Sequence, residues 1–578
     1  LSRQIGSVIR SRGEELVEGC VPHGRQGELP LGKRLVEMFS RCKGKGPRWV
    51  VYFPEHDEPT ALTAEALVVV QALLSCEGSA QLWFVTEVPQ EASTEGLVSS
   101  ALQGFSRVAG LEQPSRVGGV IAADAGSAAQ VCAEIDGDAG EDNVLLRGGR
   151  RWVPRLHRDK PRSGAGMQIR EGRSYLVTGA FGAIGMEVAA WLMGAGARHL
   201  VLAGRRDPSV MGKPQMLERL DGWRASGIEV RTRVCDVSDA SQVAELLAGI
   251  DAGGAPLAGV IHAAVSARFS PVKQASAEEV QEVFRAKLEG ARVLDRATRE
   301  RALDFFVLFG SGAATLGLRN GAIYAAANGA LQGVVEERRA LGLPALCAEW
   351  GSWRSDHAGA QHDLVGNSGL IAMQPPSALA GLAALIGEGR ARGMVADVDW
   401  QILGPALAMR GRDALVSSVL GEADEAGRGQ GGAGAAAWVD SLHALAPAEQ
   451  RDQVLDLVGA EARAVFGMGP EDSLQEDRGL FAMGMDSLMA VRLKRRLEER
   501  TGLRLPGTVT LTYPTLAALA EYLQMRLFGD AEAVVPSPVQ VAPERDLTTL
   551  AAMDDEETRA ALEEELAAVQ QTLAREAR

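Results

Sequence analysis

Two hydroxyl side chains at a fixed spacing are the first candidates for chemistry in this sequence. Ser311 follows an apolar segment typical of a β-strand, and Tyr324 lies 13 residues further along the chain. A serine hydroxyl can donate a hydrogen bond to a carbonyl oxygen as charge develops on it, and a phenol can act as a general acid. Because a free phenol has a pKa of about 10, this acid role calls for a nearby cation that favours the phenolate.

Alternating strands and helices are predicted around this pair. Strands are expected at Tyr175–Thr178, His199–Ala203, Val230–Asp236, Gly259–Ala264 and Phe305–Gly310, with helical segments between them. This alternation predicts a parallel sheet. Ser311 therefore stands at the end of a predicted strand.

An earlier series of segments predicts a second sheet of the same kind. Strands at Trp49–Pro54, Leu82–Thr86 and Val117–Ala123 alternate with helices at Ala64–Cys76 and Leu97–Ala109. No glycine-rich turn follows these strands, so we interpret this half as a nucleotide-type fold that binds nothing. The second half, by contrast, carries such a turn directly after its first strand.

The glycine-rich turn lies at the start of a predicted helix. Small residues at this place let the backbone approach a pyrophosphate, which the helix N-terminus can bind through its N–H groups and its dipole. The residues predicted to bind a dinucleotide here are Gly179, Gly182, Ala183, Ile184 and Gly185.

The end of the second strand selects between the two nicotinamide cofactors. An acidic residue there would bind the ribose hydroxyls of NADH, but this sequence has Gly204-Arg205-Arg206. A guanidinium can make paired hydrogen bonds to a 2′-phosphate, so Arg205 and Arg206 favour NADPH. The alternative is a pair of solvated surface arginines.

Together, the turn and the Ser–Tyr spacing resemble the short-chain dehydrogenase/reductase family. Most members carry a lysine four residues after the tyrosine, where this sequence has Asn328, whereas polyketide synthase ketoreductases place it upstream, at the position of Lys287. The resemblance implies that Tyr324 protonates the oxyanion left by hydride transfer and that Ser311 hydrogen-bonds its oxygen. It also implies that Lys287 lowers the pKa of the phenol and that Asn328 holds a water or the lysine in a proton relay.

The resemblance to these ketoreductases extends over most of residues 47–420. It implies that Asp236 and Val237 hold the adenine and that Ala263 and Ala264 also contact the cofactor. The matching segments include Phe105-Ser106-Arg107-Val108-Ala109, Leu146-Arg147-Gly148-Gly149-Arg150, His262-Ala263-Ala264, Trp350-Gly351-Ser352-Trp353 and Asp399-Trp400.

Several positions depart from the family pattern. Ala180, Ala183 and Val265 stand where the family often has glycine, and Ala267-Arg268-Phe269 replaces the Leu-Asp-Asp motif linked to one product configuration. The tryptophan linked to the opposite configuration would stand at Leu316. The configuration of the product alcohol is therefore left open.

A second chemical motif lies near the carboxyl end of the sequence. Asp486-Ser487-Leu488 resembles the phosphopantetheine attachment motif of acyl carrier domains, between segments that predict amphipathic helices. A serine at a helix start would present its phosphate ester to the helix dipole. The resemblance implies that a phosphopantetheinyl transferase adds 4′-phosphopantetheine to Ser487. An Asp–Ser pair by itself would be only a helix N-cap.

The tail of the sequence predicts a helix with a narrow apolar stripe at Leu562, Leu566, Val569 and Leu573. Such a stripe suits a partner helix, and the segment resembles one that docks on the next synthase polypeptide, although a surface helix is the alternative. The expected domains are an N-terminal fragment or linker at 1–46, a structural subdomain at 47–157, a catalytic subdomain at 158–420, a flexible linker at 421–440, a carrier domain at 441–528, a linker at 529–547 and a docking helix at 548–578.

Bulk properties limit the other functional classes. The net charge of −15 disfavours nucleic-acid binding, no apolar run is long enough for a membrane span, and the six cysteines are scattered as in cytosolic proteins without a metal site. The start at Leu1, without Met or a signal-peptide pattern, suggests a piece of a longer polypeptide.

The expected fold class is α/β, with two Rossmann-like parallel-sheet subdomains, the first degenerate and the second NADPH-binding, plus a small all-α carrier bundle. The expected function is reduction of a β-ketoacyl thioester tethered to the carrier domain. The expected partners are ketosynthase and acyltransferase domains elsewhere in a homodimeric synthase. Alternatives are a redox-silent, cofactor-binding scaffold beside a working carrier domain and a free-standing reductase, which would explain neither carrier nor linkers.

Overall fold

The computed structural model describes residues 49–88 except 55, 57 and 77, then 95–137, 141–159, 166–354, 369–408, 414–420, 446–466, 474–503 except 482, 484 and 486, and 509–528, with a few single positions elsewhere. The chain divides into two compact units, Leu1–Gln430 and Gly431–Arg578. The expected N-terminal fragment and the two linkers fall almost entirely outside the described residues, and the docking helix lies wholly outside them.

The first sheet of unit 1 belongs to the half without a glycine-rich turn. Its strands are β1 (Trp49–Tyr52), β2 (Gln81–Glu87), β3 (Val117–Ala123), β4 (Asn143–Arg147) and β5 (Arg150–Trp152), in that spatial order. Strands β1 to β4 pair in parallel, and β5 pairs antiparallel with β4. The connecting helices are α1 (Pro59–Leu74), α2 (Glu95–Glu112) and α3 (Ala128–Asp136).

Helix α1 begins five residues before the predicted start at Ala64. Pro59 occupies its first turn, and the Glu58 carboxylate accepts a hydrogen bond from the Ala61 N–H at 3.0 Å. Proline is well suited to a first turn because its missing N–H would have no helical partner there, and the carboxylate satisfies one of the remaining donors. This local capping explains the earlier start.

The second sheet contains seven parallel strands in the order β13-β11-β10-β9-β6-β7-β8. Strand order reverses on the two sides of β6, as in doubly wound Rossmann folds. The two predicted Rossmann-like sheets are thus confirmed. The strands are β6 (Ser174–Thr178), β7 (His199–Gly204), β8 (Glu229–Val234), β9 (Leu257–His262), β10 (Phe305–Ser311), β11 (Leu346–Trp350) and β13 (Arg392–Val395), and a separate pair is formed by β12 (Leu370–Ile371) and β14 (Asp397–Val398).

Helices cover this sheet, whose central strands β6 and β9 are buried along their whole length, as expected when both faces are packed. One helical run contains a π-helical turn, Arg285–Glu289, between two α-helices. The helices are α4 (Ala183–Gly194), α5 (Pro214–Ala225), α6 (Ala240–Asp251), α7 (Ala277–Phe284), α8 (Gly290–Thr298), α9 (Ala313–Leu316), α10 (Ala322–Ala340), α11 (Pro375–Gly387) and α12 (Trp400–Ala408).

The two subdomains of unit 1 share one hydrophobic core, in which Phe105 of α2 and Leu331 of α10 are both buried. Helices α2 and α10 approach closely at glycines. A β-carbon on Gly104 would lie 2.4 Å from the carbonyl oxygen of Ala325, and one on Gly329 would lie 2.2 Å from that of Ser100. The first subdomain therefore packs directly on the helix that carries Tyr324.

Unit 2 is helical in its described residues, as predicted for a carrier domain. Its helices are α13 (Pro447–Phe466), α14 (Ser487–Thr501), α15 (Val509–Thr512) and α16 (Leu516–Phe528). Their buried face includes Val454 and Val458 of α13 and Leu493 and Leu497 of α14, as expected of amphipathic helices.

Across the described residues, none of the helices combines the length and the apolar character that crossing a membrane would require.

The contact between α2 and α10 yields a stability prediction. Gly329→Ala should lower the free energy of unfolding of unit 1 by about 1–3 kcal/mol, because the added methyl group must displace backbone at Ser100. The control is Gly222→Ala in α5, where an added β-carbon meets nothing within 4 Å and should stabilise by about 0.5–1 kcal/mol. Calorimetric unfolding of the full chain measures both, and equal shifts would contradict this packing.

Candidate active site

A cleft of about 940 Å³ opens at the carboxyl ends of the strands in the second sheet. It lies where the strand order reverses between β6 and β9, which is where doubly wound sheets bind ligands. The predicted cofactor residues all line it: Gly179, Gly182, Ala183, Ile184, Gly185, Arg205, Arg206, Asp236, Val237, Ala263 and Ala264.

The glycine-rich turn has the close backbone packing that a pyrophosphate site needs. Gly179 has φ +69°, and a β-carbon there would lie 2.5 Å from the N atom of Ala264. A β-carbon on Gly185 would lie 2.5 Å from the carbonyl oxygen of Gly179. Helix α4 has Gly182 as its N-cap and no side chain capping its first turn, so its N–H groups face the cleft unblocked. These features fit a dinucleotide phosphate at the helix N-terminus.

Basic side chains line part of the cofactor half of the cleft. Lys213, which the sequence analysis did not single out, lines the cleft together with Arg205 and Arg206. The Asp236 carboxylate accepts hydrogen bonds from the Ser238 N–H at 3.0 Å and from Nη2 of Arg285 at 2.9 Å. Partial burial raises the pKa of Asp236, but the Ser238 hydrogen bonds and the charges of Arg285 and Arg205 outweigh burial and hold it below its usual range. Asp236 is therefore an anion at neutral pH.

Ser311 and Tyr324 meet at the far end of this cleft. Ser311 ends β10, Tyr324 lies in the first turn of α10, and both line the cavity. Burial raises the pKa of the Tyr324 phenol, and the neighbouring Ser311 and Asn328 side chains only partly oppose this rise. The expected lowering by Lys287 is therefore not observed, because burial is the larger influence on this phenol.

Lys287 is placed by the π-helical turn, a feature that often marks functional sites. Its side chain is buried, its Nζ donates to the carbonyl oxygen of Phe309 at 2.9 Å, and Nζ lies 5.6 Å from the centre of the Tyr324 ring. Burial lowers the pKa of Lys287 to about 8. The lysine thus lies beside the tyrosine while being tied to the strand that ends in Ser311.

Asn328 stands one helical turn after Tyr324. Its Nδ2 donates to the Tyr324 carbonyl oxygen at 2.7 Å, whereas its buried Oδ1 accepts no hydrogen bond from the described residues. This oxygen is free to accept from a water or an ammonium. Among the described residues, Asn328 makes no direct hydrogen bond to Lys287, because the Lys287 Nζ donates to the Phe309 carbonyl oxygen instead.

His262 holds the π-helical turn in place, a role that the amino-acid sequence did not predict. Its Nε2 lies 3.1 Å from the carbonyl oxygen of Lys287, and its Nδ1 lies 2.8 Å from Oγ1 of Thr178. Burial, with the charge of Lys287, lowers the pKa of His262 to about 4, so the ring is neutral. Since a carbonyl can only accept, Nε2 carries the proton and the Thr178 hydroxyl donates to Nδ1. His262 thereby ties the π-helical turn to β6.

The segment that departs from the family pattern lies beside the tyrosine. The ring of Phe269 lies 5.4 Å from that of Tyr324, centre to centre, and both residues line the cleft. Arg268 and Ser266 both hydrogen-bond to the Glu282 carboxylate of α7. These contacts fix the segment on the open side of the site.

In unit 2, Ser487 is the first residue of α14. A phosphate ester on this residue would therefore stand at a helix N-terminus.

Comparison with known proteins gives matches in both units. Residues 173–355 match the KR domain family, residues 456–523 match the phosphopantetheine attachment site family, and residues 21–156 match the Rossmann fold domain of polyketide synthase extender module SpnB. The chain is 36% identical over 580 residues to polyketide synthase GfsB of Streptomyces halstedii, covering 94% of this chain and 10% of that protein. It is 32% identical over 501 residues to erythronolide synthase EryA3 of Saccharopolyspora erythraea, covering 85% of this chain and 16% of that protein. The chain thus spans a small fraction of the length of these relatives.

Solved structures give the same result for unit 1. The first ketoreductase of the tylosin polyketide synthase is 30% identical with a TM-score of 0.65, and the match covers 72% of this chain and 92% of that one. A structure of A-type ketoreductases from a modular polyketide synthase is 32% identical with a TM-score of 0.61, covering 67% of this chain and 85% of that one. Ketoreductases of this kind bind NADPH, and the attachment-site domain carries 4′-phosphopantetheine.

The sequence matches begin at residue 21, run through the first subdomain and the cleft that holds Ser311 and Tyr324, and end in the helices of unit 2. Since these matches join a reductase fold to a carrier domain on one polypeptide, the chain belongs to the modular polyketide synthases, as a ketoreductase followed by an acyl carrier domain.

Proposed function

We propose that this protein reduces a β-ketoacyl thioester to a β-hydroxyacyl thioester with NADPH, while phosphopantetheine on Ser487 carries the substrate. The observation that supports this most is the convergence of Ser311, Tyr324 and Lys287 at one end of the dinucleotide cleft. When bound, NADPH supplies the hydride. The turn at Gly179–Gly185 and the Arg205–Arg206 pair would hold its phosphates.

The side chains at the end of the cleft would manage the charge that hydride transfer leaves on the substrate oxygen. Ser311 Oγ would donate a hydrogen bond to this oxygen, and the Tyr324 phenol would give it a proton. The raised pKa of Tyr324 keeps the phenol protonated before the reaction. Lys287, whose pKa of about 8 is the lower of the two, would return a proton to the phenolate through a water held by the Asn328 Oδ1.

The same cleft supports an active reductase over the redox-silent scaffold. A scaffold would need the dinucleotide turn alone, whereas here a phenol, a hydroxyl and an ammonium are also brought together. An NADPH oxidation assay with a β-ketoacyl thioester distinguishes the two functions.

The partners of the chain follow from this proposal and from the relatives it matches. Ketosynthase and acyltransferase domains elsewhere in the synthase would build the acyl chain, with the whole assembly a homodimer. A phosphopantetheinyl transferase would modify Ser487. The apolar stripe of residues 548–578 would dock on the next polypeptide. A cytoplasmic location would suit all of these partners.

Removal of the phenol hydroxyl tests the acid. Tyr324→Phe should leave NADPH affinity within about twofold and lower the reduction rate about 10²–10⁴-fold, the usual contribution of a positioned acid. Turnover follows from NADPH absorbance and affinity from NADPH fluorescence. Tyr52→Phe, which removes a phenol hydroxyl bonded to Glu65 in the first subdomain, is the matched control and should reduce normally. Near-normal turnover by Tyr324→Phe would contradict the assignment.

The pH dependence of kcat/KM tests Lys287. Since burial lowers its pKa to about 8, the ammonium is present below that pH and lost above it, so reduction should fall as the pH rises through about 8. The Tyr324 phenol, with its pKa raised, remains protonated over this range. Lys287→Gln, which is neutral at every pH, should be slower and should lack this inflection. An inflection that persists in the variant would assign it to another group.

Intact-mass measurement tests the carrier site. A phosphopantetheinyl transferase with coenzyme A should add one phosphopantetheine to the unmodified chain and none to Ser487→Ala, because only a serine at the start of α14 offers the hydroxyl. Ser311→Ala should be modified fully, since unit 2 is unchanged. A mass gain on Ser487→Ala would refute the site.

A further inference from the structure

The side of the cleft next to Ser311 and Tyr324 is walled by two loops. The first, which begins with the short helix α9 and runs on to Gly321, follows Ser311 and lines the cleft with Leu316, Leu318 and Arg319. The second lines the cleft with Val265 and Phe269. The predicted cofactor residues line the cleft elsewhere, as do Trp350 and Met394. If the chain reduces a thioester as proposed above, the acyl group would lie against these two loops.

Helix α2 of the first subdomain holds the first loop through a buried arginine. Nη1 of Arg107 donates to the carbonyl oxygens of Ala314 at 3.0 Å and Thr315 at 2.9 Å. Its Nε donates to the Asp142 carboxylate at 3.0 Å, and both charged side chains are 9% exposed. Burying a charge costs free energy unless its ion-pair and hydrogen-bond partners offset the loss of water. Two of the groups that compensate the Arg107 charge are the backbone carbonyls of Ala314 and Thr315, which belong to the first loop.

The end of the same helix holds both loops at once. One carboxylate oxygen of Glu112 accepts from the Asn320 N–H at 2.8 Å, and the other accepts from the Val272 N–H at 2.8 Å. Asn320 directly follows the cleft-lining Arg319, and Val272 closely follows Phe269. The Glu112 carboxylate therefore fixes the distance between the two loops.

Apolar packing between these bonds adds a third restraint. Gly317 has φ +82°, and a β-carbon there would lie 2.2 Å from Cδ1 of Leu111. The loop thus rests directly on α2 between its bonds to Arg107 and Glu112. Neither charged side chain lines the cleft itself, so both would act through the loops.

Arg116 shows what an arginine with a purely structural role looks like in this subdomain. It also donates to carbonyl oxygens, those of Leu73 at 2.7 Å and Ala80 at 3.1 Å. Both acceptors belong to the first subdomain. Arg107 makes the same kind of bond across to the catalytic subdomain.

We propose that α2 of the subdomain without a nucleotide site shapes the substrate half of the cleft, with Arg107 and Glu112 as positioning residues that fix the two loops relative to Tyr324. This inference rests on the proposed ketoreduction for its kinetic consequences. The positions of the loops themselves can be measured independently of any reaction.

The first experiment compares Glu112→Gln and Arg107→Met with the control Arg116→Met in the full chain. Glutamine keeps one acceptor oxygen, so one of the two N–H groups loses its partner. We expect KM for a soluble β-ketoacyl thioester to rise about tenfold, the loss that one charge-assisted hydrogen bond allows, and the ratio of the two alcohol configurations to move toward unity. NADPH affinity should stay within about twofold, and Arg116→Met should lower the unfolding temperature without changing KM or the product ratio.

A second measurement separates this inference from the proposed function. Hydrogen–deuterium exchange in peptides that span residues 265–275 and 313–321 should become about tenfold faster in Glu112→Gln and stay unchanged in Arg116→Met. If the unmodified chain reduces no β-ketoacyl thioester, the proposed function fails while exchange still decides the role of α2. Unchanged exchange in Glu112→Gln and Arg107→Met, or an unchanged KM and product ratio in an active chain, would overturn the inference.

Discussion

The ammonium group of Lys287 lies buried, 2.9 Å from the carbonyl oxygen of Phe309 and 5.6 Å from the centre of the Tyr324 ring. Removing a charge from water is expensive, so the surrounding structure must hold it in one geometry for the site to exist. The π-helical turn supplies the direction of the side chain, and neutral His262 ties that turn to β6 through Thr178. Phe309 lies in β10, which ends two residues later in Ser311. The bond from Lys287 to Phe309 therefore holds the ammonium near both Ser311 and Tyr324.

The first subdomain, whose sequence lacks a glycine-rich turn, contributes to the same site through its packing. Helix α2 shares the core of the catalytic subdomain and packs on α10 where Gly104 and Gly329 allow backbone contact. Tyr324 lies in the first turn of α10, and the loops held by Arg107 and Glu112 lie beside it. The packing surface of this subdomain is therefore its contribution to the site.

In the proposed function, the two units would divide the chemistry between binding and delivery. Unit 1 holds the dinucleotide cleft, and unit 2 presents Ser487 at the start of α14. A tethered substrate would be supplied at high local concentration, so modest affinity for the acyl group would suffice, and discrimination could come from how the acyl group is oriented. The loops next to Tyr324 would provide this orientation.

The sequence alone determined the two parallel sheets, the dinucleotide turn and the carrier helices, because strand alternation, glycine spacing and apolar periodicity are local patterns. It also predicted Ser311 and Tyr324 from their spacing, whereas Lys287 came only from family resemblance. Tertiary structure decided the rest. The raised pKa of Tyr324 depends on burial that no local pattern encodes. Glu112 binds backbone N–H groups 160 and 208 positions away, and because every residue but proline has an N–H, no residue type marks such partners in a sequence.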